Sequence, residues 1–244
     1  MNTVITIEAR MGSTRLSGKV LRPILGQPML ARMVERLRRV RLADGIVVAT
    51  TDHAADDPIA ALAAHLGIGC HRGSEPDVLG RVLGAARSVG ADVIVETTAD
   101  CPLIDPLVVD QLIQTFRSNP VDYCANVVVP TYPRGLDVQV FPVRVLEEVA
   151  GLTNDPADRE HVSLYIYEHP ERYRLLNVAS GLPSTVRDLR LTVDTAEDLA
   201  LVTSVYEELY PVNPAFGLGE IVALMERRPA LRTMNQHIRQ KTVR

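Results

Sequence analysis

The chain has no tryptophan and three phenylalanines, and aromatic residues make up only 4% of its 244 positions. Its apolar interior must therefore come from Val, Leu, Ile and Ala, which favours helices stacked on parallel strands over a sandwich closed by aromatic rings. Cysteine is scarce too. Cys70, Cys101 and Cys124 lie far apart without a CxxC pair, which excludes a disulfide framework and reads as reduced core thiols of a cytoplasmic protein. The six histidines fit no zinc spacing, HExxH included. No apolar run is long enough to cross a bilayer, and the first residues read as a strand rather than a cleavable leader, so no membrane partner is expected. A net charge of −4 gives no support to nucleic-acid binding.

What is there alternates between two periodicities. Val4-Ile5-Thr6-Ile7 opens as a strand, and Leu30, Met33, Val34 and Leu37 recur at helical spacing. Ile46 to Thr50 is a second, fully buried strand, followed by a helix through Ile59, Leu62, Ala63 and Leu66 that Gly67 ends. A short strand at Ile68 to His71, a helix over Val78 to Ala86 ended by Gly90, and a strand at Val93 to Val95 follow. Asp105-Pro106 starts the next helix. This rhythm predicts an α/β fold with a doubly wound, mostly parallel sheet. Beyond it, Tyr123–Val129 reads as a strand and Leu136–Val140 as a half-exposed one. Leu189–Val193 reads as a strand returning to the sheet, before helices near Ala196–Leu209 and Leu218–Arg227. With no repeat or low-complexity segment, residues 1–244 read as one domain. About 120–185 form an inserted antiparallel element for substrate or dimer contacts.

Charge of one sign is concentrated in the turn after the first strand. Arg10, Arg15 and Lys19 share it with Gly12, Gly18 and Ser13, a composition suited to a nucleoside triphosphate tail. It is not a Walker A loop, because five residues separate Gly12 from Gly18 and Val20 follows Lys19. Pro23 and Pro28 also prevent a helix from starting cleanly there. Asp100 and Asp194 each end an expected strand on the ligand side of the sheet, where two carboxylates can share magnesium with substrate phosphates. Asp194-Thr195-Ala196-Glu197-Asp198 also resembles a helix capping box. Arg72 and Ser74 can offer donors to a base or ribose, though Ser74 equally suits a helix N-cap. Arg134 and Arg159 can grip an acidic group. No Ser-His or Cys-His arrangement suggests a hydrolase, and no Asp-x-Asp surrounds Asp100 as a related glycosyltransferase would require.

With these residues in view, the chain resembles the cytidylyltransferases of the spore coat polysaccharide biosynthesis protein F type, relatives of the enzymes that make CMP-activated sialic acid and Kdo. The resemblance runs from Thr3 to Leu199. It rests on Ala9, Arg10, Gly12, Ser13, Arg15, Leu16, Gly18 and Lys19, on Arg72-Gly73-Ser74, and on Asp100-Cys101-Pro102-Leu103-Ile104-Asp105. It rests also on Tyr132-Pro133-Arg134-Gly135-Leu136-Asp137, Arg159-Glu160-His161-Val162 and Asp194 to Leu199. The resemblance implies the fold of nucleotide-diphospho-sugar transferases and transfer of CMP from CTP to an anionic acceptor, such as a nonulosonic or Kdo-like sugar acid, with release of pyrophosphate. A cytidylyltransferase for a small phosphonate, a sugar 1-phosphate nucleotidyltransferase, a glycosyltransferase of related fold or a nucleotide-binding protein without turnover are the alternatives. It implies a CTP site of Ala9, Arg10, Gly12, Ser13, Arg15, Lys19, Arg72, Ser74 and Asp100, with Arg15, Lys19 and Asp100 catalytic. It further implies Mg2+ on Asp100 and Asp194, acceptor contacts from Tyr132, Arg134, Asp137, Arg159, Glu160 and His161, and a homodimer. Four positions depart from the family pattern: Ser17 replaces proline, Glu8 glutamine, Ala99 glycine, and Glu96 a basic residue.

Overall fold

The structure, a computed structural model, describes residues 1–240. The first half contains β1 (Thr3–Glu8), a 3-10 turn at Lys19–Leu21, β2 (Pro23–Ile24), β3 (Gln27–Pro28), α1 (Met29–Leu37) and β4 (Gly45–Thr51). It continues through α2 (Asp57–His65), β5 (Gly69–Gly73), α3 (Val78–Ser88), β6 (Val93–Thr98) and α4 (Pro106–Arg117). The second half holds β7 (Tyr123–Ala125), β8 (Gln139–Pro142), α5 (Val143–Leu152), α6 (Pro156–Glu160), α7 (Leu164–Glu168) and β9 (Leu175–Asn177). Helices α8 (Ser184–Arg187), α9 (Ala196–Leu209), α10 (Leu218–Arg227) and α11 (Pro229–Thr233) follow.

Seven strands form one sheet in the order β5-β4-β1-β6-β8-β7-β9. Strands β5, β4, β1 and β6 are parallel, and β8 runs antiparallel to both β6 and β7. The expected antiparallel element is thus an extension of the same sheet. Because strand side chains alternate, neighbouring residues feed opposite cores. Ile5, Ile7, Val48, Val93 and Val95 pack with α1, α2, α4 and α9, whereas Val4, Val47, Ala49 and Ile94 pack with α3 and α5. Several helix starts follow the sequence. Asp105 caps α4 through Leu107 N, and Thr195 and Asp198 form the expected capping box of α9. Among the described residues no helix is long and apolar enough to cross a membrane.

Three expected strands change, each for a local reason. The strand at Tyr123 stops at Ala125 because the Asn126 side chain takes over its pairing. Its Nδ2 donates to Leu136 O at 2.7 Å, and its Oδ1 accepts from Val138 N at 2.8 Å. The strand expected at Leu136 begins only at Gln139, and Leu136, Val138 and Val140 are fully buried rather than half-exposed. Leu189–Val193 does not join the sheet, since β8 already occupies that edge of β6. It makes one parallel bridge, Arg134 to Arg190, and Val193 N donates to Asp100 O at 2.8 Å. Two smaller corrections concern single residues. Cys70 is exposed on the edge strand β5, unlike the buried Cys101 and Cys124. Asp77, not Ser74, caps α3, accepting from Gly80 N at 2.9 Å.

Candidate active site

The loop that leaves β1 is held open from outside. Met11 N donates to Asp56 Oδ1 at 2.7 Å, and the other oxygen of this buried carboxylate accepts from Thr51 N and the Thr51 hydroxyl. The loop closes with Gly18 N donating to Met11 O at 3.1 Å, and Gly18 takes φ 65°, a left-handed conformation that glycine adopts freely. Among the described residues, the amides of Gly12, Thr14 and Arg15 donate to no protein acceptor, and all three residues line the cleft above the loop. Unpaired amides of this kind, combined with fixed cations, suit phosphate oxygens.

The opposite wall is acidic. Asp100 follows β6, and its Oδ1 accepts from Thr98 Oγ1 at 2.6 Å. Asp194 arrives on the extended segment after α8, and its Oδ2 is gripped by Arg190 at 2.6 Å. Arg190 in turn pairs with Asp198, whose carboxylate also accepts from the Asn235 side chain. Lys19 joins the two walls. Its Nζ lies 2.8 Å from Asp100 Oδ2, 2.9 Å from Asp194 Oδ1 and 2.9 Å from Val193 O. Arg15 adds a second cation to Asp194 Oδ1 at 2.8 Å. Burial pulls the Lys19 pKa down, but Asp100 and Asp194 outweigh it and leave the pKa raised. Burial likewise pushes Asp194 up, and Lys19, Arg190 and Arg15 overcome it to hold the carboxyl below its ordinary range.

Ala9, Arg10, Gly12, Ser13, Arg15, Lys19, Asp100 and Asp194 thus surround one cleft of about 330 Å³, joined by Glu160 and His161 from the end of α6. The remaining candidates lie elsewhere. Arg72 pairs with Asp57 at 2.6 Å and donates to Thr51 O and His53 O, and neither it nor Ser74 lines this cleft. Arg159 is occupied by the carbonyls of Ala150 and Thr153. Tyr132, Arg134 and Asp137 line a second cavity of about 540 Å³ with Arg187 and Arg190. The Arg190–Asp194 ion pair stands between the two spaces, and burial raises the Asp137 pKa.

The roles of four residues at the site escaped sequence reading, which took Asp198 only as part of a capping box. Asp56 anchors the loop, Arg190 and Asp198 anchor Asp194, and Arg81 of α3 lines the cleft while bonding to the carbonyls of Ser74 and Glu75. Spacing gives no sign of Asp56 or Arg81. Arg190 has one signal, a charge inside an otherwise apolar run, and a buried charge needs a partner.

The chain is similar to several known proteins. A cytidylyltransferase family model matches residues 4–233. The spore coat polysaccharide biosynthesis protein SpsF of Bacillus subtilis (strain 168) is 33% identical over 94% of this chain and 96% of its own. A cytidylyltransferase structure from Leptospira borgpetersenii serovar Hardjo-bovis superposes with a TM-score of 0.90 at 30% identity, covering 99% of this chain and 100% of that one. The structure of CMP:2-keto-3-deoxy-manno-octonic acid synthetase complexed with CTP shares the fold, with a TM-score of 0.60 at 22% identity over 85% of this chain and 99% of that one.

Proposed function

This chain belongs to the cytidylyltransferase family, and on that premise we propose that it transfers CMP from CTP to an acidic small molecule, holding the triphosphate in the cleft after β1. One observation carries the reading. Cations from the loop, Arg15 and Lys19, meet the carboxylates Asp100, just after β6, and Asp194, on the extended segment after α8, at a single point. An oxygen of the acceptor attacks the α-phosphorus of CTP, a new P–O bond forms, the bond to the β-phosphate breaks, and pyrophosphate leaves. An acceptor oxygen that is already ionised needs no base. Such a reaction needs positioning and charge stabilisation more than covalent chemistry. Arg10, Ser13 and the free amides of the loop position the triphosphate, while Arg15 and Lys19 neutralise the departing pyrophosphate. Glu160 and His161 face the acceptor.

Asp100 and Asp194 fit a divalent cation. Both are hard oxygen donors, and in the structure they already converge on one ammonium, which matches the two-carboxylate sites that magnesium completes with substrate phosphates. We assign Mg2+ to that pair. Bound there, the ion supplies stabilisation of charge on the phosphoryl oxygens. The test is CTP-dependent pyrophosphate release against a panel of sugar acids, phosphonates and sugar 1-phosphates, with Mg2+ and with chelator. Release with CTP and an acidic acceptor is expected. Bound CTP with no product from any acceptor would sink the proposal. Pairing of two copies through residues 120–185 would cover the exposed Val128 and Val129, and sedimentation velocity reads one or two chains directly.

A further inference from the structure

We infer that the cleft selects an acceptor that carries a protonated amine, received by Glu8 with Glu96 behind it. The inference rests on the reading above that this cleft holds both substrates. Strands β1 and β6 are parallel neighbours in the register Thr6 to Glu96 and Glu8 to Thr98. Glu8 and Glu96 therefore lie diagonally on the same face, the face on which Val4 and Ile94 build the core beneath α3 and α5. Apolar side chains occupy the start of that face. Two carboxylates occupy its end, next to the cleft.

One oxygen of each carboxylate lacks a donor from the surrounding residues. Glu96 is only 4% exposed, and its Oε2 and the Oε1 of Glu8 are both buried with no hydrogen-bond donor among the described residues. The two side chains face each other, and burial raises both pKa values, so the pair holds a proton more readily than a free carboxylate and keeps one negative charge when one proton is bound. The surrounding groups do not relieve them. Arg81 of α3 is the cation beside Glu8, yet it makes no ion pair with it, and its Nη1 donates to the carbonyls of Ser74 and Glu75 at 2.9 and 3.0 Å. Arg10 is drawn toward Glu75 and Glu160 at 3.5 and 3.6 Å. On the inner side, Ser163 Oγ donates to Gln139 Oε1 at 2.5 Å and the Tyr123 hydroxyl donates to the same oxygen. That saturates the Gln139 oxygen and leaves its amide group to face Glu96.

The cleft therefore offers two kinds of contact. Arg15 and Lys19 are held by Asp100 and Asp194, whereas Glu8, which lines the same cleft with Arg10, Arg81 and Glu160, has no ion pair among the described residues. A buried, unpaired carboxylate costs several kcal/mol in general, and an ammonium brings three donors and the missing charge. An acceptor with an acidic group alone leaves Glu8 uncompensated. One that combines an acidic group with an amine satisfies both the loop cations and Glu8.

Binding tests this without turnover. Isothermal titration would compare 2-aminoethylphosphonate with propylphosphonate, which differ by an ammonium in place of a methyl. It would also compare a nine-carbon 2-keto sugar acid bearing a C9 amine with the same acid bearing a C9 hydroxyl. Each is titrated into the protein saturated with α,β-methylene-CTP, and into the nucleotide-free protein. The expected result is at least tenfold preference for the amine in one or both pairs, with that ratio collapsing toward unity in Glu8→Gln and falling in Glu96→Gln. Equal binding within both pairs, or preference for the uncharged member, would overturn the inference. So would a Glu8→Gln variant that altered affinity for the CTP analogue but kept the ratio, since that assigns the residue to the nucleotide. Amine selectivity without pyrophosphate release from any acceptor would instead overturn the cytidylyltransferase reaction and leave the selectivity standing.

Discussion

Lys19 carries more of the site than its place in a basic turn suggests. A single ammonium reaches Asp100, Asp194 and the Val193 carbonyl, so Lys19→Ala removes a phosphate-neutralising charge and also frees two adjacent carboxylates to repel each other. Turnover of Lys19→Ala and of Arg15→Ala is expected to fall roughly tenfold to a thousandfold, the scale of losing one charge-stabilising donor, as read by pyrophosphate release at saturating CTP. Arg190 acts one step further away. Its guanidinium is buried between Asp194 and Asp198, and Arg190→Leu leaves buried Asp198 without a cation and removes one of the three that hold Asp194. Breaking a buried pair in this way typically costs about 3–5 kcal/mol, to be measured by urea denaturation. Glu8 sets a pH dependence. Burial, opposed by Arg81, raises its pKa from 4.5 to about 7, so the folded state holds this proton more tightly than the unfolded chain does. The contribution of this group to stability therefore declines as pH rises from about 4.5 to about 7, and is flat above that. Glu8→Gln should match the parent in thermal stability at pH 4 and exceed it at pH 8, by up to ~3 kcal/mol. Equal pH profiles would refute this.

At the scale of elements, the extended segment Leu189–Val193 is held by its neighbours rather than by the sheet. Leu191 N donates to Arg134 O at 2.7 Å, and Val193 N to Asp100 O. Gly135 is what lets these backbones approach. It has φ 101°, and a Cβ there would lie 2.6 Å from the Leu191 carbonyl carbon and the Thr192 nitrogen. Gly135→Ala should both destabilise the protein by about 2 kcal/mol or more and lower activity, because the displaced segment carries Asp194. Loss of stability with unaltered kcat and KM would separate the two. Asp105 joins two helices, capping α4 at Leu107 N with one oxygen and accepting from Leu218 N of α10 with the other. Asp105→Ala is expected to cost about 1–2 kcal/mol without changing the affinity for CTP. The sequence announced this cap, since Asp-Pro before an apolar helix is a strong start signal. It could not announce the second bond, which joins positions 113 residues apart.

For the whole molecule, the four parallel strands and their helices were legible because each strand is a continuous apolar run and each helix has its own start or stop. The second half was harder to read. Strand β7 ends where the Asn126 side chain replaces the backbone as pairing partner, a competition that propensity does not register. The acceptor candidates divided for a related reason. Glu160 and His161 share the cleft with the loop, while Tyr132, Arg134 and Asp137 line the neighbouring cavity. A short motif fixes which residues are close in sequence, not the space into which they project.

The amino-acid sequence by itself determined the alternating strand and helix pattern, the cationic loop with its glycines, and the family, because each is written in local spacing. Only the tertiary structure decided that Lys19 lies between Asp100 and Asp194, that Arg190 and Asp198 hold Asp194 in place, and that Glu8 and Glu96 form an unsatisfied acidic pair under α3. The Lys19 contacts and the Glu8–Glu96 pair depend on strand order and chain path, which bring residues 81 to 175 positions apart together, and the short-range Arg190 pairs depend on the burial that makes them necessary; no local preference encodes either.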